Sequence, residues 1–468
     1  MLTIADHAWI KLKSVYLRVT LTRYTLAFFL LGVTHCLAQG MMQAFLFAAD
    51  DQADSLVSSI IEQANATSFQ KEFAWLTRPN GGYQLSLCTH VPTGDNSGSC
   101  EVVFPTIMMA SDMNLAKPVT PLATLVDPSQ VISIMGSNSS GVTLMMKATG
   151  KEVTLSQTCV KTLVYPDQVL RNSKREDLAL LVAQFWLFSI SFFGLLHDSI
   201  PHILAVLCTR VLTTGWSAYS IWRTTDIKQR FQHLIVDEDT PCYLQIFPEY
   251  FHTRLSFQIS DLVLNVTALL CASYLGWHLV KSYSSHSFKR AGPPPAIVRI
   301  YRFVLAIYVC VQLLVFFLTT ATGLWIDQLF NGDIARISSH TNVYKALFLF
   351  TVIVMIPWMA TGWYSVRLEK KVFMAGFIIL AFVLIACWGT MFYSLVYRWT
   401  FIQWPFFACM TVSSFIGLTA CVVLGIVCWL NFNKGLAHWL YVEGVLANSD
   451  FEPEVFPHDA EKQSFPGY

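Results

Sequence analysis

Charge is what this sequence has least of. Asp, Glu, Lys and Arg make up 13% of its 468 residues, against 54% hydrophobic, whereas soluble domains carry roughly 25% charge. A soluble fold of this length must cover a large surface with polar groups, and the chain does not hold enough of them. Its mean hydropathy of +0.49 agrees. Net charge is scarce as well, at +1, so nothing suggests a nucleic-acid partner. No long low-complexity tract and no fixed-period repeat occurs.

Catalytic spacings are lacking too. There is no His-Glu-x-x-His metal pair, no Gly-x-Ser-x-Gly elbow, no phosphate-binding Gly-rich loop ending in Lys-Ser/Thr and no Cys-x-x-Cys. The twelve histidines are scattered: His197 and His202 flank a tight turn, and His233, His252 and His278 show no ligand spacing. The reading is therefore not an enzyme, with no cofactor, no metal and no catalytic residue expected. Acids within apolar runs are few, which counts against ion-coupled transport.

Long apolar runs are what the chain has in quantity. A hydrocarbon core about 30 Å thick needs about 20 apolar residues in a helix. Seven runs qualify: Leu178–His197, Ile200–Trp222, Gln258–Val280, Ile297–Ile326, Val343–Val366, Val372–Val396 and Pro405–Leu430. In lipid each must be helical, because no water is there to satisfy free backbone groups. Ile200–Trp222 is the weakest, since it contains His202 and Arg210. The 34 Phe and 14 Trp suit a lipid-facing surface with aromatic belts.

Loop charges give direction. Segment 281–296 carries Lys281, Lys289 and Arg290 without an acid, and 367–371 carries Arg367, Lys370 and Lys371 against Glu369. Both read as cytoplasmic. Loop 327–342, with Asp327 and Asp333 against Arg336, suits the other side, and Arg398 in 397–404 is a weak dissent. Counting through seven spans places residues 49–177 outside and the tail inside. The N-terminus agrees: Lys11, Lys13, Arg18 and Arg23 precede the apolar Tyr24–Ala38. Residues 1–48 then form either a signal peptide cleaved after Ala38 or an uncleaved anchor. Both deliver 49–177 to the lumen or exterior.

Sorting the 12 cysteines by side isolates four. Eight lie in apolar runs, where they read as small packing residues. Cys88, Cys100, Cys159 and Cys242 all fall on the predicted outside, where an oxidising compartment favours disulfides. Cys88–Cys100 would close a short loop and leave Cys159–Cys242 to tether the external domain to the bundle; free thiols are the other outcome. The sequons at Asn65 and Asn138 are glycosylation candidates in the same region. That at Asn265 lies within a span and is discounted.

Residues 49–177 read as a small β-rich external domain, with strands Tyr83–Val91, Glu101–Met109, Val142–Lys147 and Glu152–Gln157, a short helix Ala53–Asn65, and a charged collar Arg171–Asp177 at its end. The fold class is thus mainly α, a seven-span transmembrane helical bundle over 178–430 preceded by that domain. Among polar groups within the spans, Arg210 is either an ion-pair or substrate contact or a snorkelling side chain. Asp261, placed in the first turn of its span, reads as a helix-terminus acid. Loop 223–257 carries Asp237, Glu238 and Asp239, a solvated face rather than a cation site. The tail 431–468 has two lysines against six acids, net −4, with Gly435–Ala447 as a possible surface helix.

Three stretches carry a resemblance: Asp239-Thr-Pro-Cys-Tyr-Leu-Gln-Ile-Phe-Pro248 continuing to Arg254-Leu-Ser-Phe257, Phe392-Tyr-Ser-Leu-Val-Tyr-Arg-Trp-Thr-Phe-Ile-Gln-Trp-Pro405, and Asn431-Phe-Asn-Lys-Gly-Leu436. The chain resembles, over about 223–468, a group of multi-span membrane proteins known from fungal genomes and without an assigned activity. The resemblance implies no substrate or cofactor. The plan of external domain, seven spans and internal tail is also that of seven-span receptors and Golgi trafficking proteins, by analogy of architecture. The expected partners are the lipid bilayer and an external ligand or cargo, at the plasma membrane or a secretory-pathway endomembrane. The expected role is receptor-like or trafficking, with a transporter or channel using a polar path near Arg210 as the alternative.

Overall fold

The computed structural model describes residues 13, 15–64, 72–91, 100–105, 124–125, 131–137, 141–146, 152–238, 240–288, 295–332 and 341–434. Its long helices are α1 (Arg23–Gln63), α2 (Gln157–Leu196), α3 (Ile200–Phe231), α4 (Tyr250–Phe288), α5 (Pro295–Asn331), α6 (Thr341–Leu368), α7 (Lys371–Met391) and α9 (Pro405–Leu430), with the short α8 (Leu395–Gln403) before the last. Their starts are chemically marked. Thr22 accepts from the Thr25 amide while Thr25 Oγ1 accepts from the Thr22 amide, a capping box opening α1. Ser156 and Ser394 cap α2 and α8, and proline occupies the first turn of α3 and α9.

Seven described helices are long and apolar enough to cross a membrane: Arg23–Gln63, Gln157–Leu196, Tyr250–Ser284, Ile297–Asn331, Asn342–Leu368, Lys371–Met391 and Pro405–Leu430. The number equals the expected seven, but the membership differs. The N-terminal run joins the set and Ile200–Trp222 leaves it, diluted by His202 and Arg210. Even so, α3 runs the depth of the bundle. Its predecessor α2 covers about 60 Å and α3 itself about 48 Å at 1.5 Å per residue, and Cys159 at the start of α2 lies 4.7 Å by Cα from Cys242, beyond the end of α3. Only a full return brings the chain back to its starting end. Large apolar side chains remain exposed along these helices, among them Leu270 (66%), Ile379 (60%) and Ile416 (65%). A protein surrounded by water would bury such a surface; lipid is this chain's solvent.

Two three-stranded antiparallel sheets sit between α1 and α2 in sequence. One is β1 (Phe73–Thr77), β2 (Gln84–Cys88) and β3 (Cys100–Phe104); the other is β5 (Val131–Ser137), β6 (Gly141–Met146) and β7 (Glu152–Leu155). The two-residue β4 (Thr124–Leu125) pairs in parallel with β8 (Leu244–Gln245). Against expectation β2 and β7 are shorter, whereas β6 has the expected six residues one position earlier. Met109 and Lys147, the ends of two expected strands, lie outside the described residues, and β1, β4, β5 and β8 carried no expectation.

The described strands share one core with the helices. Leu85, Leu87, Val103 and Leu144 pack with Val57 and Ile60 of α1, Val160 and Leu163 of α2, and Phe231, Phe247 and Phe251 around the α3–α4 connection. Burying each such side chain contributes about 1.5–3 kcal/mol, so the layer is held by the disulfide-bearing ends of the helices. Three expectations are corrected here. The described part of the expected helix Ala53–Asn65 is not a separate helix but the end of α1, which runs unbroken to Gln63. Arg171–Asp177 is not a collar but the interior of α2. Asp261 lies well inside α4, because that helix begins at Tyr250 rather than Gln258. Residues 223–231 of the expected loop likewise extend α3, and a π-helical turn, Gln232–Val236, follows.

A second apolar core holds α5, α6, α7 and α9 together. Trp358 stacks on Phe377 at 5.2 Å, and Tyr397 of α8 meets Trp325 edge-on at 4.8 Å. A third joins α1 through Phe28 to α2, α3 and α4. At the end away from the disulfides, Tyr24 stacks on His278 at 4.5 Å. There α2 turns into α3 through Asp198, an aspartate in left-handed backbone (φ 47°).

Candidate functional site

Seven consecutive residues of a helix point in every direction around its axis. In Arg171–Asp177 most of them are charged, and α2 carries them amid four other helices. Lys174 Nζ reaches Asp51 (2.9 Å) and Asp54 (2.8 Å) of α1, and Arg171 reaches Asp54 (3.7 Å) and Asp167 (3.2 Å). Arg175 Nε pairs with Asp327 of α5. Glu176 takes Arg223 Nη2 of α3 at 2.8 Å and accepts from Trp216 Nε1 at 2.8 Å. Asp177 accepts from Arg254 Nη1 of α4 at 3.3 Å, and that guanidinium also bonds Asp50 of α1. Tyr250 donates to the same Asp50 oxygen at 2.8 Å. Asp50, Asp177 and Arg254 are all buried, where ionisable groups need the hydrogen-bonding partners they find in one another.

One helical level further in, Asp261 forms a second polar node. Its oxygens accept from Gln39 and Gln43 (2.6 Å) of α1, Ser217 of α3 and, at 3.1 Å, Asn265 of α4. Arg210 is about 10 Å deeper, two turns beyond Ser217 on α3. It is buried, and its Nε and Nη1 have no partner; His35 and Cys271 lie within electrostatic range. Asp261 and Arg210 make no ion pair with each other among the described contacts.

A cavity of about 220 Å³ opens at the disulfide end, between β1, α2, α3, the end of α5 and α8. Aromatic rings form one side: Trp399 meets Phe73 at 5.2 Å and Trp75 at 5.6 Å, both edge-on. Arginines form the other. Arg223 is held by Glu176, and Arg230 by Asp226 (2.5 Å) and the Tyr165 hydroxyl (3.2 Å). Each keeps its Nε buried and without a hydrogen-bond partner. Beside β1, outside the spanning helices, burial pushes the Glu72 carboxyl up, with Lys161 opposing and Glu101 adding to the rise.

The four singled-out cysteines form two disulfides, Cys88–Cys100 within the β2–β3 pair and Cys159–Cys242 from α2 to the α3–α4 connection. Asn65, Asn138, Asp239 and Gly435–Ala447 lie outside the described residues. Asp237 is bonded to His233 at 2.7 Å, and among the described residues no group of three or more His, Cys, Asp or Glu is placed to hold a metal. Sequence reasoning overlooked the hub around Glu176, Asp177 and Arg254. It also overlooked Gln39 and Gln43, although two glutamines at i and i+4 in an otherwise uncharged run were a visible signal. No protein-family model, no curated protein and no solved structure matches the chain, so the resemblance to fungal multi-span proteins gains no support from these comparisons.

Proposed function

We propose that this multi-span protein is receptor-like, with a ligand or cargo group recognised at the disulfide end, which faces the lumen or exterior, and with the tail in the cytoplasm. The cavity between β1 and the helices carries this reading. It joins an aromatic wall to the guanidinium groups of Arg223 and Arg230, a lining suited to a ligand that combines an apolar body with carboxylate or phosphate oxygens. The disulfides support an oxidising side for this end. The contacts of Gln39, Gln43 and Asp50 with α4 support an uncleaved anchor, since cleavage after Ala38 would cut α1 within its packed length. Membership of the fungal multi-span group rests on the three quoted stretches alone.

Native mass spectrometry of the full chain in lipid nanodiscs tests the reading. A small anionic molecule should co-purify with the wild type and be lost from Arg223→Met and Trp399→Ala variants. Equal occupancy in all three would sink it. One observation favours the transporter alternative: Arg210 is buried with two unmet donors, as a residue awaiting a substrate anion would be. Anion flux in proteoliposomes that disappears in Arg210→Met would establish that reading instead.

A further inference from the structure

The seam between α1, α2, α3 and α4 encloses a second cavity of about 20 Å³, room for about one water-sized particle. Asp261 sets its chemistry. An ionised carboxylate only accepts hydrogen bonds. Gln39 and Gln43 present their NH2 groups to Asp261 and turn their carbonyl oxygens away from it. Those two oxygens are left buried without a donor, and so are Gln184 Oε1 from α2 and Gln258 Oε1 from α4. All four glutamines line this cavity, and none is more than 3% exposed. A buried carbonyl without a partner is costly, and four of them on residues that line one small hole call for something positive beside them.

The charge balance points the same way. Glu176 has Arg223, and Asp50 and Asp177 share Arg254. Asp261 is met by amides and a hydroxyl, all neutral. The seam holds more carboxylates than it has cations to balance them.

We propose that this seam binds one monovalent alkali cation of sodium's size, coordinated by the carbonyl oxygens of Gln39, Gln43, Gln184 and Gln258 and balanced by the Asp261 carboxylate. Oxygen donors select a hard cation. Calcium takes six to eight oxygens, commonly several of them carboxylates, and magnesium keeps water ligands for which this cavity has no space. The Asp261 oxygens are already saturated with donors, so it supplies charge rather than coordination. The proposal uses other residues than the receptor reading and stands or falls independently of it.

The test follows the unfolding midpoint of the full chain in nanodiscs as NaCl replaces N-methyl-D-glucamine chloride at constant ionic strength. Binding to the folded state predicts a saturable rise with sodium, weaker with potassium. Gln184→Leu should move the half-saturating sodium concentration up roughly tenfold, and Asp261→Asn should abolish the response. If Asp261→Asn does not fold, Gln258→Leu takes its place with the expectation given for Gln184→Leu. Identical midpoints in sodium, potassium and N-methyl-D-glucamine mean that water alone fills the cavity and overturn the proposal. A midpoint that follows pH and ignores sodium assigns the site to a proton and overturns it equally.

Discussion

Asp50 and Arg254 are 204 positions apart in the chain and meet in its interior, Arg254 Nη1 donating to Asp50 Oδ1. Asp177 accepts from the same nitrogen at 3.3 Å, so one guanidinium fixes the depth of α4 against both α1 and α2. Replacing Arg254 with Met leaves two carboxylates buried and unpaired, a change that costs about 3–5 kcal/mol in comparable sites. The unfolding midpoint in nanodiscs should fall steeply. Adding Asp50→Asn to that variant should cost less than the two single effects combined. An unchanged midpoint for Arg254→Met would show that the pairing is not what holds these helices.

The disulfides give a prediction of covalent chemistry. Alkylation of the denatured, unreduced protein should modify the eight free cysteines, from Cys36 to Cys428, and all 12 only after reduction. Cys159–Cys242 closes a sequence separation of 83, and its loss through Cys242→Ser should destabilise the protein by about 4 kcal/mol. Fragments cut between these cysteines should stay joined until reductant is added. Separation without reductant would refute the tether.

How much of this was legible in the sequence follows a physical division. Apolar runs announce themselves because lipid imposes both length and helicity, so α5 to α7 and α9 were visible to within about five residues at each end. Charged residues at the membrane boundary are read locally as loops, because water is their usual partner. Arg171, Lys174, Arg175, Glu176 and Asp177 instead find partners on helices far away in sequence, and no local pattern encodes that. The same blindness shortened α1 and α4, whose outer turns carry Asp50, Asp54 and Arg254. The disulfide candidates could be read because the side of the membrane limits which cysteines can oxidise. The cavity beside Trp399 could not, since β1 gave no strong signal and α8 was taken partly for the end of a span.

Gly141 offers a test of the second sheet. It opens β6 with φ 115°, and a Cβ built there would stand 1.7 Å from the Leu155 carbonyl oxygen of β7. Neither the backbone angle nor the space admits a side chain. Gly141→Ala should therefore lose at least 1–3 kcal/mol, about the cost of one strained residue, and more from displacement of β7. Because β7 leads into Ser156, the cap of α2, a lower unfolding midpoint and faster proteolysis within 131–155 should appear together. Wild-type behaviour in both would exclude the β6–β7 register described above.

The path of α3 decides the orientation of the whole N-terminal half, and its polar sequence makes it the element most open to challenge. If it crosses, Asp198 in the α2–α3 turn and Tyr243 after α3 lie on opposite sides of the bilayer. Both positions have left-handed backbone at φ 47° and 43°, which a cysteine tolerates at a cost of about 1–2 kcal/mol. In intact cells a membrane-impermeant maleimide should label Tyr243→Cys, while Asp198→Cys should require permeabilisation. The native free cysteines lie in the helices and serve as a common background, measured in the wild type. Labelling of both variants from outside would place the turn and the disulfide on one side, remove α3 from the membrane, and reverse the orientation proposed for the β layer or for the helices after it.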